Sequence, residues 1–325
     1  MKTIKTLLGV TATALTFTGA ASAENWDMPM AYSASNYHSM NGQLFADAVG
    51  VCTGGDLTIT VHPGGSLFGG ADIKRAVQTA QAPIGERFIS AHQNENPLYG
   101  IDSVPFLATS FADSEKLWAA TKDKLGEALA DDNLVLLYSV PWPPQGLYFK
   151  KPVNSVADTQ GIKFRSYNSA TARIADLMGM APVQVEAAEL SQALSTGVAE
   201  AFISSGSTGY DRKVWEQLTY FYDTQAWLPR NFVFANKGAF DGLNSQTQNC
   251  LRSSGMLAQA AGTARAEQLA GWYLQQLAAN GMTVTAPSGQ LVEDLQTIGA
   301  TMAAEWAEAA GAEGSALVEA YKASK

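Results

Sequence analysis

At 325 residues, with 46% hydrophobic and 16% charged side chains, the chain is long enough for about two globular units and too apolar for wholesale disorder. Its 21 Lys and Arg stand against 30 Asp and Glu, a formal charge of −9, which excludes the basic footprint that a nucleic acid or another polyanion needs.

The first segment places Lys2 and Lys5 ahead of an apolar stretch from Leu7 to Gly19, then Ala21-Ser22-Ala23 before Glu24. This order of basic, apolar and small residues predicts a secretory signal peptide, residues 1–23, cleaved after Ala23. The competing reading, an anchoring helix, meets an apolar stretch well short of the ~20 residues that a span needs. The expected location is therefore the periplasm. Cys52 and Cys250 are the only cysteines. An even pair in an exported chain predicts a disulfide rather than a metal site or a catalytic thiol.

A strand is expected from Trp26 to Ala31, and Tyr37, Met40, Leu44, Phe45, Ala48 and Val51 then recur at helical spacing. Leu57 to Val61 alternates as a strand does. The loop containing Gly64, Gly65, Gly69 and Gly70 lacks the Lys-Ser or Lys-Thr of a phosphate cradle and reads as a turn into a helix over Ile73 to Ala80. A strand over Ile84 to Ser90 follows, then a helix over Ser114 to Leu129 with Asp113 as its N-cap. The apolar run Leu134 to Tyr138 suits a strand covered on both faces.

Trp142-Pro143-Pro144 breaks the chain and marks a crossing into a second lobe. Strands are expected at Leu147 to Lys150, Ile162 to Ser166, Pro182 to Val185 and Ala201 to Ile203. Helices are expected at Ala170 to Met178 and Ala187 to Ser195. A strand at Phe232 to Ala235 leads back toward the first lobe, and a helix of unusual length runs from about Ser245 to Ala279. Thr283 to Thr285 forms a late strand, and two Ala- and Glu-rich helices close the chain. The alternation predicts an α/β fold with largely parallel sheets. Lobe I takes residues 24–142 and about 231–270, and lobe II takes 143–230 and about 271–325.

Catalytic and metal signatures are missing. His38, His62 and His92 show no metal-ligand spacing, and neither a GxSxG nor a GxGxxG motif occurs. Glu186 and Glu189 lie three apart and read as an exposed first-turn acid pair rather than an acid–base couple. Arg165 is the strongest binding candidate. It ends a strand, where ligands of open α/β sheets bind, and its planar fork fits a carboxylate. A surface ion pair is the alternative role. Trp142, Tyr148, Tyr167 and Trp227 gather near the inferred crossings, although burial is the default for such residues.

Taken together, Leu67-Phe68-Gly69-Gly70, Val104-Pro105-Phe106-Leu107, Lys151-Pro152-Val153, Gly161 to Arg165, Ala181-Pro182-Val183, Glu189 to Val198 and Asn236-Lys237 resemble one family. It comprises the extracytoplasmic solute-binding proteins of tripartite ATP-independent periplasmic (TRAP) transporters, in the dicarboxylate-binding (DctP-like) branch. The resemblance implies a two-lobed periplasmic-binding-protein-like fold with hinge strands, a long bridging helix and a cleft. It also implies an organic acid held at Arg165, no cofactor, no enzymatic activity, and a monomer that delivers its solute to membrane permease subunits.

Two departures qualify the ligand. The strand before Lys151-Pro152 reads Gln145 to Phe149, without the cation that many members carry there, and Ser204 aligns where an Asn often stands. Losing a cation disfavours a dianion, because a second buried carboxylate would lack a partner. The expected solute is thus a monocarboxylate with a flat or apolar body, benzoate-like acids included, contacting Arg165, Trp142, Tyr148, Tyr167, Ser204 and Trp227. An exported enzyme acting on a small organic acid, and the binding module of an ABC-type importer or sensor, remain open at this point.

Overall fold

The computed structural model describes residues 23–325. The expected signal peptide, apart from Ala23, lies outside the described residues. The first run is β1 (Glu24–Pro29), α1 (Tyr37–Cys52), β2 (Leu57–His62), α2 (Ile73–Gln78), β3 (Ile84–Phe88), α3 (Phe111–Asp131) and β4 (Leu134–Pro141). Past Trp142-Pro143-Pro144 come β5 (Gln145–Phe149), β6 (Lys163–Ser166), α4 (Ser169–Leu177), β7 (Ala181–Gln184), α5 (Leu190–Ser195), β8 (Ala201–Ser205), α6 (Gly206–Asp211) and β9 (Tyr220–Tyr222). The chain returns as β10 (Arg230–Asn236), then α7 (Lys237–Gly242), α8 (Ser245–Ala279), β11 (Thr283–Thr285) and α9 (Gly289–Ala323).

Two lobes result. In lobe I, β1 pairs with β2 in parallel, a Met30–Glu86 bridge links β1 to β3, and β10 lies between β3 and β4. In lobe II the sheet order is β11-β9-β5-β8-β6-β7. The sheets are mixed rather than largely parallel. β10 runs antiparallel to β3 and β4, and β5 antiparallel to β8 and β9. Both exceptions are strands handed over from the other lobe. They arrive without the helical crossover that makes neighbours parallel.

The joint between the lobes consists of two adjacent backbone segments. The Trp142 N–H donates to the Pro229 carbonyl (2.7 Å), Gln145 N–H to Trp227 O (3.0 Å) and Ala226 N–H to Gln145 O (3.0 Å). Helix α8 spans both lobes, packing on α1 and β4 at one end and on α6 and β11 at the other. At 35 residues it is about 50 Å long. Its buried small residues Gly255, Ala258, Gly262 and Ala266 share one face. A Cβ at Gly262 would stand 2.7 Å from the Val140 side chain, so glycine lets the helix lie close on β4.

Cys52 and Cys250 form the expected disulfide across a separation of 198 residues, tying the end of α1 to the first turns of α8. Ser110 rather than Asp113 caps α3: its hydroxyl accepts the Asp113 N–H at 3.1 Å, so Asp113 occupies the third helical position. The two closing helices are joined end to end in α9, broken at Gly311, where φ is +59°. The sequence division gave all of 271–325 to lobe II, but α9 straddles the lobes. Asp294 accepts the Val156 N–H at 2.8 Å in lobe II, whereas Tyr321 donates to Leu107 O at 3.0 Å on lobe I. Among the described residues, no helix is long and apolar enough to cross a membrane.

Candidate functional site

Beside the crossings lies a narrow cavity of about 400 Å3, partly open to solvent. Tyr32 and Phe88 line it from lobe I, and Trp142 and Pro229 from the crossings. Lobe II contributes Gln145, Arg165, Tyr167, Glu186, Ala187, Ser204 and Thr208. Strands β6, β7 and β8 are parallel, and their carboxyl ends open here, at the edge where α/β sheets bind ligands.

Arg165 is 2% exposed. Its Nε–H donates to the Val185 carbonyl at 2.8 Å, and its guanidinium carbon lies 5.2 Å from the centre of the Tyr167 ring. Its two terminal nitrogens make no hydrogen bond to the described residues. Burial pulls its pKa down to about 10, which still leaves a cation at neutral pH. A fixed, desolvated guanidinium with open donors suits a carboxylate.

The wall is held by a relay of side chains. Trp227 Nε1–H donates to Tyr167 Oη (3.2 Å), and Tyr167 donates to Gln145 Oε1 (3.1 Å). The Gln145 amide in turn donates to Pro143 O (3.0 Å). Trp142 donates to Asn231 Oδ1 at 2.7 Å and meets Tyr32 edge-on at 4.7 Å. Burial raises the pKa values of Tyr32 and Tyr167, so both keep their protons. Behind Trp142, His38 faces Glu86 at 3.3 Å, and burial lowers its pKa.

Of the residues expected at the site, Arg165, Trp142, Tyr167 and Ser204 meet at this cavity. Trp227 is fully buried behind the wall, reaching it only through Tyr167. Tyr148 does not join them. It stacks on Phe202 (4.3 Å) in the lobe II core, its hydroxyl bonded to Ser205 O at 2.9 Å. Every residue of β5 is buried, so alternation could not tell which face Tyr148 takes.

Sequence reasoning missed an ion pair beside Arg165. Arg87, 2% exposed on β3 of lobe I, donates from Nη1 and Nη2 to Glu186 Oε2 and Oε1 of lobe II, at 3.1 and 3.0 Å. Glu186 is therefore half-buried and paired across the cleft rather than an exposed helix-turn acid, while Glu189 is exposed. The lobes also meet where Asn168 donates to Ser90 Oγ (3.2 Å) and Asn36 to Asp211 Oδ2 (2.6 Å). With Arg87 and Glu186 cancelling, the cavity keeps the single charge of Arg165, which matches a monoanion.

A larger hollow opens between α4, α9 and residues 97–105. Arg173, the one cation in its lining, is occupied by Glu305 at 2.6 and 3.0 Å, so the hollow offers no free anchor for an acid. Among the described residues, no three His, Cys, Asp or Glu side chains converge on a metal position.

Two sheet lobes on paired crossings, with a small cavity beside the joint that holds an open guanidinium, are the architecture of a solute-binding protein. Residues 30–310 match the family model described as bacterial extracellular solute-binding protein, family 7, and the chain belongs to that family. It is a TRAP transport solute-binding protein and not an enzyme. A TRAP solute-binding protein from an unidentified marine metagenome microbe, specific for pyroglutamate and crystallised with co-purified pyroglutamate, is 61% identical. The match covers 93% of this chain and 99% of that one, with a TM-score of 0.92. DctP6, a Bordetella pertussis extracytoplasmic solute receptor binding pyroglutamic acid, is 45% identical over 92% of this chain and 100% of that one (TM-score 0.91). The ectoine/5-hydroxyectoine-binding periplasmic protein UehA of Ruegeria pomeroyi is 24% identical over 94% of this chain and 91% of its own length.

Proposed function

We infer that this protein captures pyroglutamate, or a closely similar cyclic-amide monocarboxylate, in the periplasm and delivers it to TRAP membrane permease subunits. The observation that carries the reading is Arg165, buried with its terminal donors open to a narrow cavity of single positive charge. The bound acid of the 61% and 45% identical relatives supports it. Pyroglutamate is a monocarboxylate on a compact, flat ring. It meets the same demands of charge and shape that suggested a benzoate-like body, and it adds an amide that a polar wall of Gln145, Ser204 and Glu186 can address.

In this reading the solute binds the open protein at Arg165, and the lobes then turn about the crossings near Trp142 and Pro229. Closure would assemble the Arg87–Glu186, Asn168–Ser90 and Asn36–Asp211 contacts over it. Mass spectrometry of small molecules released by denaturing the protein, purified without added solute, tests the assignment. Pyroglutamate is expected. Release of an aromatic acid or a C4 dicarboxylate instead would overturn it.

A further inference from the structure

The cavity side chains differ in the sense of the hydrogen bonds they can make. Arg165 can only donate. Ser204, Thr208 and Gln145 can donate or accept. Glu186, ion-paired with Arg87, is the one side chain in the lining that can only accept. Arg87 occupies one direction at each of its oxygens, and a carboxylate has about four lone-pair directions, so accepting capacity remains.

Glu186 is also fixed and covered. Arg87 holds it in fork geometry, and the backbone of Gly70 closes over the pair. A Cβ there would fall 2.6 Å from Arg87 Nη1 and 2.9 Å from Glu186 Oε2. The glycine-rich loop is thus shaped around this ion pair, with Gly64 anchored to Tyr32 O at 2.6 Å. The cavity is polarised, with an unmet cation at one wall and a residual anionic acceptor at another.

We propose that Glu186 is the specificity determinant of the cleft: it accepts a hydrogen bond from an N–H of the solute whose carboxylate is held by Arg165. Arg87 is the positioning residue that keeps Glu186 aimed. The proposal rests on the small-acid reading given above and deepens it. A lactam N–H satisfies Glu186. A ring oxygen in its place turns lone pairs toward a carboxylate, and a second carboxylate would repel it.

The test compares pyroglutamate with its lactone counterpart, 5-oxotetrahydrofuran-2-carboxylate, by calorimetry on solute-stripped wild-type protein. Leaving a charged acceptor unmet should weaken lactone binding roughly 10- to 100-fold. In Glu186→Ala the lactam preference should collapse to less than about threefold. Succinate should bind this variant more tightly than it binds wild type, because Arg87 is then unpaired. Equal wild-type affinities for lactam and lactone would overturn the proposal alone, whether or not the variant folds. So would a Glu186→Ala protein that keeps the wild-type ratio. Failure of the wild type to bind either molecule would overturn the small-acid reading and this inference with it.

Discussion

Two buried arginines, one in each lobe, differ in how far their own lobe satisfies them. Arg230 on β10 and Arg165 on β6 are each 2% exposed. Each lies over an aromatic ring, Trp118 at 5.0 Å and Tyr167 at 5.2 Å, and burial lowers both pKa values. They differ in what their donors meet. Arg230 Nε donates to Ser139 Oγ (2.9 Å), Nη1 to Ser114 Oγ (3.2 Å) and Glu115 Oε1 (2.9 Å), and Nη2 to Ser139 O (3.3 Å). Arg165 spends only Nε within its lobe. Desolvating a guanidinium is costly either way. Where the lobe itself satisfies every nitrogen, the group fastens strands. Where two nitrogens are left facing a cavity, they are open to a partner from outside the chain, the role proposed for Arg165.

The comparison can be broken at several points. Replacing both Cys52 and Cys250 by Ser should have the largest effect on stability, a loss of up to about 5 kcal/mol on the chain-entropy account of so long a loop. Because that bond lies outside the cleft, solute affinity should stay within about threefold. Denaturant titration and calorimetry on the same preparation would expose a shift in affinity instead. Arg230→Ala leaves Glu115 and the Ser139 and Ser114 hydroxyls without their cation and should cost about 3 kcal/mol of stability. A variant as stable as wild type would deny Arg230 its structural role.

Arg165→Lys should leave stability nearly unchanged and weaken solute binding by roughly 1–3 kcal/mol, because a point charge cannot reproduce the fork. Calorimetry decides this, and full retention of affinity would argue against bidentate capture. The smallest effect concerns Asp102, which accepts the Arg230 backbone N–H at 2.8 Å. Burial raises its pKa to about 7. The folded carboxyl holds a proton that the unfolded chain releases near pH ~4, so its contribution is full in acid and is lost as pH rises through about 7. Between pH 5 and 8, wild-type melting temperature should therefore fall relative to Asp102→Asn; parallel curves would remove the effect.

Much of this was legible from residue order. Helix α8 ends where Asn280-Gly281 follows, and Gly281 adopts φ of +96°, a stop signal carried by two neighbouring residues. Arg165 was legible for the same reason, since its place at a strand's carboxyl end depends on β6 alone. The Arg87–Glu186 pair was not, because it joins residues 99 apart on opposite lobes, and neither neighbourhood hints at the other. Tyr148 lies in the lobe II core and Trp227 behind the wall, because aromatic residues near a crossing are as ready to support a wall as to form one. The mixed sheet directions were hidden too, because the path of a returning strand is set by where the lobes meet rather than by its own residues.

The central claim, that the open donors of Arg165 hold the carboxylate of a small cyclic-amide acid, is tested most directly by titrating pyroglutamate into solute-stripped wild-type and Arg165→Ala proteins in a calorimeter. The account predicts one site per wild-type chain and a loss of about 2–5 kcal/mol in the variant, part of it from leaving the solute's carboxylate buried without a partner. The variant should melt cooperatively in the absence of solute. An Arg165→Ala protein that binds pyroglutamate as tightly as wild type would contradict the account.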